Sequence, residues 1–410
     1  MRIIFAGGGT GGHLIAGISA AEEIRMRFHN AEIMFCGTEK KFEEEYVVQQ
    51  GFQFQKIHAK KWERSFKGIF VFLRMAILGV IESLFLQRKF KPDIVVGLGG
   101  YASFAPIIAA KLLCIPSILL EQNVVPGKAN LFLARWADEV CCHWRSSLKW
   151  FAKAKKVNVT GTPIRKGIVS GRKKNYYEKF GFDSAKYTIV VTGGSQGAQA
   201  INEVMVKSLH KLEPFSEKIQ IIHCAGEHGY ECVKKGYGQT KINSFVCSFL
   251  NEMDAALNIA DIVICRAGAT TIAEITAIGI PAILIPYPYA ADNHQYWNAV
   301  EVEKNGGGYL LPQIDLTPEK IVEIIIDLFR NKEKYERMKM FSKEMGRPDA
   351  SVCVVDTISR LISYRGDAGS IARQITPFKC RGEAFATNSH KCVHAQTGKS
   401  FAPYFFVKEE

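Results

Sequence analysis

Several absences narrow the chemistry of this 410-residue chain before any motif is considered. No Asp-x-Asp pair occurs, so a metal held by paired carboxylates at a diphosphate is not expected. Eleven cysteines are scattered without a CxxC pair, which fits neither a zinc ribbon nor a disulfide framework; reduced thiols in a cytosolic protein are expected. No signal peptide precedes the first apolar run, which agrees with that location. The apolar stretch 66–86 is broken by Lys67, Arg74 and Glu82, so a true membrane span is not expected either. Aromatic residues do not interleave with the basic ones in a nucleic-acid pattern, and no nucleic-acid partner is expected.

What is present begins with charge. The net charge of +13 is concentrated in two segments. Residues 55–91 carry nine Lys/Arg against Glu63 and Glu82, and residues 149–179 carry ten against Glu178 alone. Such clustering suits an anionic membrane surface or a diphosphate substrate.

Along the chain, short apolar runs repeatedly enter glycine-rich turns followed by helical patterns. Residues 2–6 form a first strand, then Gly7-Gly8-Gly9-Thr10-Gly11-Gly12-His13 opens a helix to about Arg27. Gly7, Gly9 and Gly12 satisfy GxGxxG, but the strand at 33–36 ends in Gly37-Thr38, with Glu39 a poor substitute for the acid a dinucleotide site uses. Further strands at 93–96 and 116–120 end in Gly97-Leu98-Gly99-Gly100-Tyr101 and Glu121-Gln122-Asn123. After a crossing segment, Gly161-Thr162-Pro163-Ile164-Arg165, a strand at 187–192 leads into Gly193-Gly194-Ser195-Gln196-Gly197-Ala198 and another helix. More strands are expected near 219–223, 242–246, 262–264 and 282–285, and closing helices near 317–330 and 348–363. Two doubly wound α/β domains facing a cleft are the simplest fold that follows, with ligands at the strands' carboxyl ends.

The stretch from Asp261 to Ala299 is the densest. A buried strand, the turn Cys265–Gly268 and a helix from Ala269 to Ile278 make a site for negative charge, since free N–H groups and the helix dipole point outward. Glu274 lies one turn beyond Thr270 on the same face, where it either accepts hydrogen bonds from a pair of sugar hydroxyls or is a solvated acid. Beyond the next strand, Asp292–Asn298 gathers polar and aromatic residues where a loop is expected. The segment 66–86 is open between an interfacial amphipathic helix and one buried against the sheet. From Tyr364 the periodicity ends; Cys380, His390, Cys392 and His394 lack zinc spacing, and a mobile tail is expected.

Together GGGTGGH (7–13), GLGGYAS (97–103), EQN (121–123), GTPIR (161–165), GGSQGA (193–198), FLNEM (249–253), CRAGATTIAE (265–274) and DNHQYWNA (292–299) resemble the MurG family of peptidoglycan N-acetylglucosaminyltransferases. The resemblance spans residues 1–363. It implies a GT-B fold and inverting transfer of GlcNAc from UDP-GlcNAc to undecaprenyl-diphospho-MurNAc-pentapeptide, without cofactor or metal. It divides the chain into an acceptor and membrane-docking domain (1–160), a donor domain (161–345), a C-terminal helix (346–363) and the tail (364–410). Thr10, Gly11, Gly12, Asn123, Arg165, Ser195, Leu250, Ala269, Thr270, Thr271, Ile272, Ala273, Glu274 and Gln295 match donor-contacting positions. Gly99, Gly100 and Tyr101 match the acceptor side, and His13 and Glu121 the reaction centre. His13 is the candidate general base, or else a residue that only caps and orients its turn. Two departures are Thr162, where Asn is expected, and Leu14-Ile15-Ala16-Gly17, where a proline is expected. Rival readings are a dinucleotide-dependent oxidoreductase, a UDP-sugar epimerase of the same fold, and a non-catalytic UDP-sugar-binding membrane scaffold.

Overall fold

The computed structural model describes residues 1–9, 11–60, 66–169, 171–194 and 196–366. Thr10, Ser195, Lys61, Arg64 and the tail from 367 onward therefore lie outside the described residues.

Two parallel sheets carry the molecule. The first contains β1 (Arg2–Gly7), β2 (Glu32–Gly37), β3 (Gln53–Lys56), β4 (Ile94–Gly99), β5 (Ser117–Glu121), β6 (Glu139–Cys142) and β7 (Val157–Val159), in the order β3-β2-β1-β4-β5-β6-β7. The second contains β8 (Tyr187–Thr192), β9 (Ile219–Cys224), β10 (Asn243–Cys247), β11 (Ile262–Cys265), β12 (Ala282–Leu284) and β13 (Gly308–Leu310), in the order β10-β9-β8-β11-β12-β13. Helices cover both faces of each sheet, so central strands are buried on both sides and mostly apolar; Ile3, Ile4, Phe5 and Ala6 are all fully buried. In each sheet the strand order reverses beside the first strand, between β1 and β4 and between β8 and β11. The crevices at those two switch points are where such sheets bind ligands. The glycine turn after β1 and Gly100-Tyr101 after β4, which runs on to Gly99 where the sequence suggested a turn from Gly97, flank the first; the turns after β8 and β11 flank the second. The two-domain expectation thus holds.

Four strands (β3, β6, β7, β13) and several helices, Lys41–Gln49, Lys174–Phe180, Tyr230–Tyr237, Met253–Ile259 and Lys332–Met345 among them, escape the sequence reading. The last helix, Ala350–Gly366, returns to the first sheet. Val354, Val355 and Ile358 are fully buried in the same core as Ile3, Phe5 and Phe35, and Arg27 pairs with Asp356 at 2.6 Å. Gly161, with φ of +83°, lies against Arg347 and Ala350, so the outgoing and returning crossings touch there.

The helix Phe66–Phe90 has an unusual polarity. Its most buried positions are small or polar: Gly79 abuts the His58 carbonyl, while Ser83 and Gln87 are buried, Gln87 donating to the Pro106 carbonyl at 2.8 Å, and Val80, Leu86 and Phe90 pack beside them on the core. Its outer face is apolar, with Leu73, Ile77, Ile81 and Phe85 exposed at four-residue spacing and Ile77 and Phe85 more than 60% accessible. Phe72 is half-buried against Phe104, with ring centroids 6.5 Å apart, and Leu84 is half-buried too. Arg74, Arg88 and Lys89 are exposed on the same helix. The buried-helix alternative therefore fails for Leu73, Ile77, Ile81 and Phe85 and holds in part for Phe72 and Leu84. No helix among the described residues is long and apolar enough to cross a membrane.

Among the described residues, Cys36, Cys114, Cys141, Cys142, Cys224, Cys232, Cys247 and Cys265 are free thiols. Among the described residues no three His, Cys, Asp or Glu side chains cluster as metal ligands do.

Candidate active site

The first crevice is built around His13. It lies on the first turn of the helix Gly11–Arg27, with Nδ1 3.4 Å from the Gly8 carbonyl. Gly99 and Gly100 have φ of +100° and +75°, and a Cβ at Gly99 would sit 3.3 Å from His13 Nε2. Glycine there lets the second turn reach the imidazole, and Tyr101 comes close to Gly9 from the same turn. Burial lowers the His13 pKa below 6.5; the Gly8 carbonyl opposes this and the nearby His294 adds to it.

Glu43, unsuspected from the sequence, holds this turn from below. It is fully buried on the helix Lys41–Gln49 and accepts from the Gly9 N–H at 2.6 Å and the Thr38 N–H at 2.8 Å. An acid does serve the end of β2, but it is Glu43 rather than Glu39, and it bonds the turn instead of a ribose. Its carboxyl group already takes an amide that a pyrophosphate would need, which argues against the dinucleotide reading.

Glu121 ends β5 almost wholly buried. Oε1 accepts from Asn123 N and Nδ2 at 3.0 and 3.1 Å; Oε2 accepts from Gly127 N and Asn130 Nδ2 at 3.0 and 2.9 Å. Two donors per oxygen use all the lone pairs of the carboxylate. Burial raises the Glu121 pKa, opposed by those same hydrogen bonds. The side chain is an organiser of the 121–130 loop.

The second crevice faces the first across direct contacts. Thr270 Oγ1 donates to the Gly12 carbonyl at 3.1 Å, joining two expected donor positions from opposite domains. Asn298, fully buried and not singled out in the sequence, accepts from Val124 N at 2.9 Å through Oδ1. Its Nδ2 donates to Asn123 Oδ1 at 3.0 Å. At the rim, Lys128 pairs with Asp292 at 3.1 Å. The helix Ala269–Ile278 starts after Gly268, which offers no side-chain cap, so no side chain at the cap claims the first-turn N–H groups. The helix Gln199–Leu212 starts likewise after Ala198. Ala269, Thr271, Ile272 and Ala273 all lie within the first five residues of the former helix.

Arg165 and Glu274 meet each other. Nε and Nη2 of Arg165 each donate at 2.7 Å to the two oxygens of Glu274, whose side chain is 3% exposed. Burial works against the charge of Arg165, yet Glu274 raises its pKa above the ordinary value. Glu274 is therefore not a solvated acid.

Other expected positions are arranged less directly. Leu250 is buried in the core of the second domain, three residues past β10. Gln295 accepts from Tyr287 N at 2.9 Å and so ties down the 286–293 loop. The loop expected at 292–298 is corrected: Asp292 and Asn293 take left-handed conformations and the helix His294–Lys304 follows, because both side chains tolerate that region. Arg266 braces the same loop, donating to the Ile285 and Pro286 carbonyls and to Gln313.

Comparison with known proteins agrees with this geometry. Residues 3–142 match the glycosyltransferase family 28 N-terminal domain, and residues 188–352 match its C-terminal domain. The UDP-N-acetylglucosamine–N-acetylmuramyl-(pentapeptide) pyrophosphoryl-undecaprenol N-acetylglucosamine transferase of Thermodesulfovibrio yellowstonii is 39% identical over 363 residues, covering 88% of this chain and 99% of that one. The crystal structure of Acinetobacter baumannii MurG superposes with a TM-score of 0.68 at 27% identity, covering 88% of this chain and 99% of that one. A UDP-GlcNAc 2-epimerase from Neisseria meningitidis superposes with a TM-score of 0.63 at 15% identity, over 88% of this chain and all of that one; this likeness shows the shared fold alone. Both halves of the chain, and nearly the full length of its relatives, are matched together, and the chain belongs to the MurG family of glycosyltransferase family 28.

Proposed function

We propose that this protein transfers N-acetylglucosamine from UDP-GlcNAc to the 4-hydroxyl of MurNAc in undecaprenyl-diphospho-MurNAc-pentapeptide, with inversion at the anomeric carbon. The observation that carries the reading is the closure of two crevices on each other through Thr270–Gly12 and Asn298–Asn123, which sets the uncapped start of the 269–278 helix beside the turn that carries His13. Residues 1–160 take the acceptor and the membrane surface, and residues 161–345 take the donor.

In this mechanism the acceptor hydroxyl attacks the anomeric carbon from the face opposite the leaving UDP. His13 takes the hydroxyl proton. Glu121, with every lone pair engaged, positions Asn123 and its loop instead of acting as base. Negative charge growing on the diphosphate is met by the backbone N–H groups at 269–273 and at the start of the 199–212 helix. Thr10 and Ser195 are assigned to the same donor site from their motif positions, and Gly99, Gly100 and Tyr101 to the acceptor side. The assay that tests this supplies labelled UDP-GlcNAc with purified lipid-linked MurNAc-pentapeptide, with and without EDTA. A labelled disaccharide lipid is expected in both. UDP-GlcNAc bound but never transferred would leave only the scaffold reading, and an epimerised sugar formed without acceptor would favour the epimerase.

Glu274 holds the ribose in this reading. Arg165 takes one lone pair from each carboxylate oxygen, and the remaining pairs can accept two sugar hydroxyls. Glu274→Gln keeps an oxygen for Arg165 and loses a charge-assisted bond, normally about 1.5–3 kcal/mol. UDP affinity should fall about tenfold or more while the fold survives. An unchanged UDP dissociation constant would remove the ribose assignment.

The protein works, in our reading, at the cytoplasmic face of the cell membrane, docked peripherally by the outer face of the Phe66–Phe90 helix. Each Lys or Arg near an anionic leaflet adds about 1 kcal/mol to the apolar contact. Replacing Leu73, Ile77 and Phe85 with Ser removes exposed apolar surface and leaves Phe72 packed on Phe104. Binding to anionic vesicles and activity on long-chain acceptors should drop, with a short-chain soluble acceptor spared. Vesicle binding that persisted unchanged would move the docking surface elsewhere.

A further inference from the structure

Cys224 and Cys247 end adjacent parallel strands, β9 and β10, and are register partners. Their sulfurs are 3.7 Å apart. Neighbouring strands run about 4.8 Å apart, and disulfide-linked Cα atoms are usually about 4.4–6.8 Å apart, so the backbone already stands at bonding separation. Cys224 is buried, whereas Cys247 is partly buried and keeps some contact with solvent, enough for a small oxidant to reach.

The residues that follow these cysteines support the donor crevice. Cys224 runs into Ala225 and Gly226, which pack against Gln196 and Gly197 of the 193–198 turn so closely that a Cβ at Gly197 or Gly226 would clash with backbone. Cys247 runs into Ser248, whose carbonyl accepts from Gly226 N at 3.1 Å, and then to Leu250. One sulfur pair therefore underlies two segments of the donor side.

We propose that Cys224 and Cys247 form a dithiol modification site at which a hydroperoxide makes a reversible disulfide that weakens donor binding. The Cys247 thiolate attacks a peroxide oxygen, the O–O bond breaks, and the departing hydroxide takes up a proton to leave as water. The resulting sulfenic acid is attacked by the Cys224 sulfur; the S–O bond breaks and the second oxygen leaves as water with the Cys224 proton. Two thiols and one peroxide give one disulfide and two waters. A thiol reductant reverses it. The hydrogen bond between the pair raises the Cys224 pKa and lowers that of Cys247, which makes the less buried member the attacking thiolate. Burial instead pushes the thiols of Cys36, Cys141 and Cys265 up to about 12, which leaves them inert. On closure the sulfurs draw together from 3.7 Å to about 2.05 Å, and the covalent link ties the strand ends that carry 225–226 and 248–250 to each other, which restricts the adjustment of the donor side to its ligand.

The consequence for the donor rests on the proposed function; formation of the bond does not. The full chain is treated with stoichiometric hydrogen peroxide, digested without reductant and mapped by mass spectrometry, while UDP-GlcNAc affinity is titrated in parallel. A linked Cys224–Cys247 peptide is expected, with UDP-GlcNAc binding weakened about tenfold, within the usual range of site-to-site coupling. Dithiothreitol should restore it, and Cys247→Ser should keep its affinity under peroxide. Oxidation confined to the exposed Cys114 and Cys232, with no linked peptide, would overturn the site. A linked peptide with unchanged affinity would overturn its coupling to the donor. If the reduced protein bound no UDP-GlcNAc, the functional reading would fall, while the peptide map on the unaltered chain would still decide the site.

Discussion

His13→Ala lowers kcat by about 10²–10⁴-fold, the usual contribution of a positioned base, and leaves the UDP dissociation constant within a few-fold. The split follows from the geometry. His13 stands among Gly8, Gly99 and Gly100 in the first crevice, whereas the donor contacts proposed here lie chiefly on the 269–278 helix of the second. A base must be unprotonated to work, and burial lowers the His13 pKa, so the acid limb of kcat/KM should lie below pH 6.5. In His13→Ala that limb should vanish. A residue that merely orients the glycine turn would change rate without removing the limb. If kcat stayed within a few-fold of the unaltered protein, the imidazole would not be the base, and Glu121, already saturated with donors, would not replace it without rearranging its loop.

The second large effect is acid lability. His143 and His223 are both buried, and burial pushes each pKa down to about 3, with the charge of Arg347 adding to the effect at His143. Thr162 N donates to His143 Nδ1 at 3.0 Å, and His223 sits between Tyr237 and Asn202. The folded-state values lie below the unfolded value of 6.5, so the unfolded chain binds more protons in between. The stabilisation is complete above pH 6.5 and falls as pH drops toward 3. Each histidine costs about 1.4 kcal/mol per pH unit across that window, so the pair costs about 3. Against a typical net stability of about 5–15 kcal/mol, unfolding should set in within a few pH units. Denaturant midpoints at pH 7, 6 and 5 measure it, and a flat series would show that neither histidine is held neutral. His143→Gln or His223→Gln should flatten the slope by about half, if the variant folds.

What could be read from the chain beforehand follows a physical division. Glycine turns after apolar runs are local signals, because strand, turn and helix are neighbours in sequence, so Gly7–His13 and Cys265–Glu274 fell at strand ends as expected, whereas the strand read as ending at Val96 runs on through Gly97 to Gly99 and only Gly100-Tyr101 turn. Glu43 and Asn298 gave no such signal. Glu43 sits in a run of three glutamates that looks like a solvated face, and only its reach back to Gly9 and Thr38 sets it apart. Asn298 is one asparagine in a polar cluster until the second domain meets Asn123 and Val124. The pairing of Arg165 with Glu274 spans 109 residues and was hidden for the same reason. The Phe66–Phe90 helix stayed ambiguous because periodicity reports that a helix has two faces and not which one turns inward. There the small residues Gly79 and Ser83 face the protein, while Leu73, Ile77, Ile81 and Phe85 face out.

The return of the 350–366 helix to the first sheet has a bearing on synthesis. The second domain is, in effect, a long insertion within the first, so the first domain leaves the ribosome without the layer that Val354, Val355 and Ile358 provide. Until then part of its β1-side core, including the surface that receives those residues, faces water and is open to wrong contacts. The last contact to form joins residues more than 300 positions apart, Arg27 with Asp356 among them, which is a slow kind of closure. A nascent chain stalled near residue 345 should therefore protect its second sheet from proteolysis before its first, the reverse of their order in the sequence.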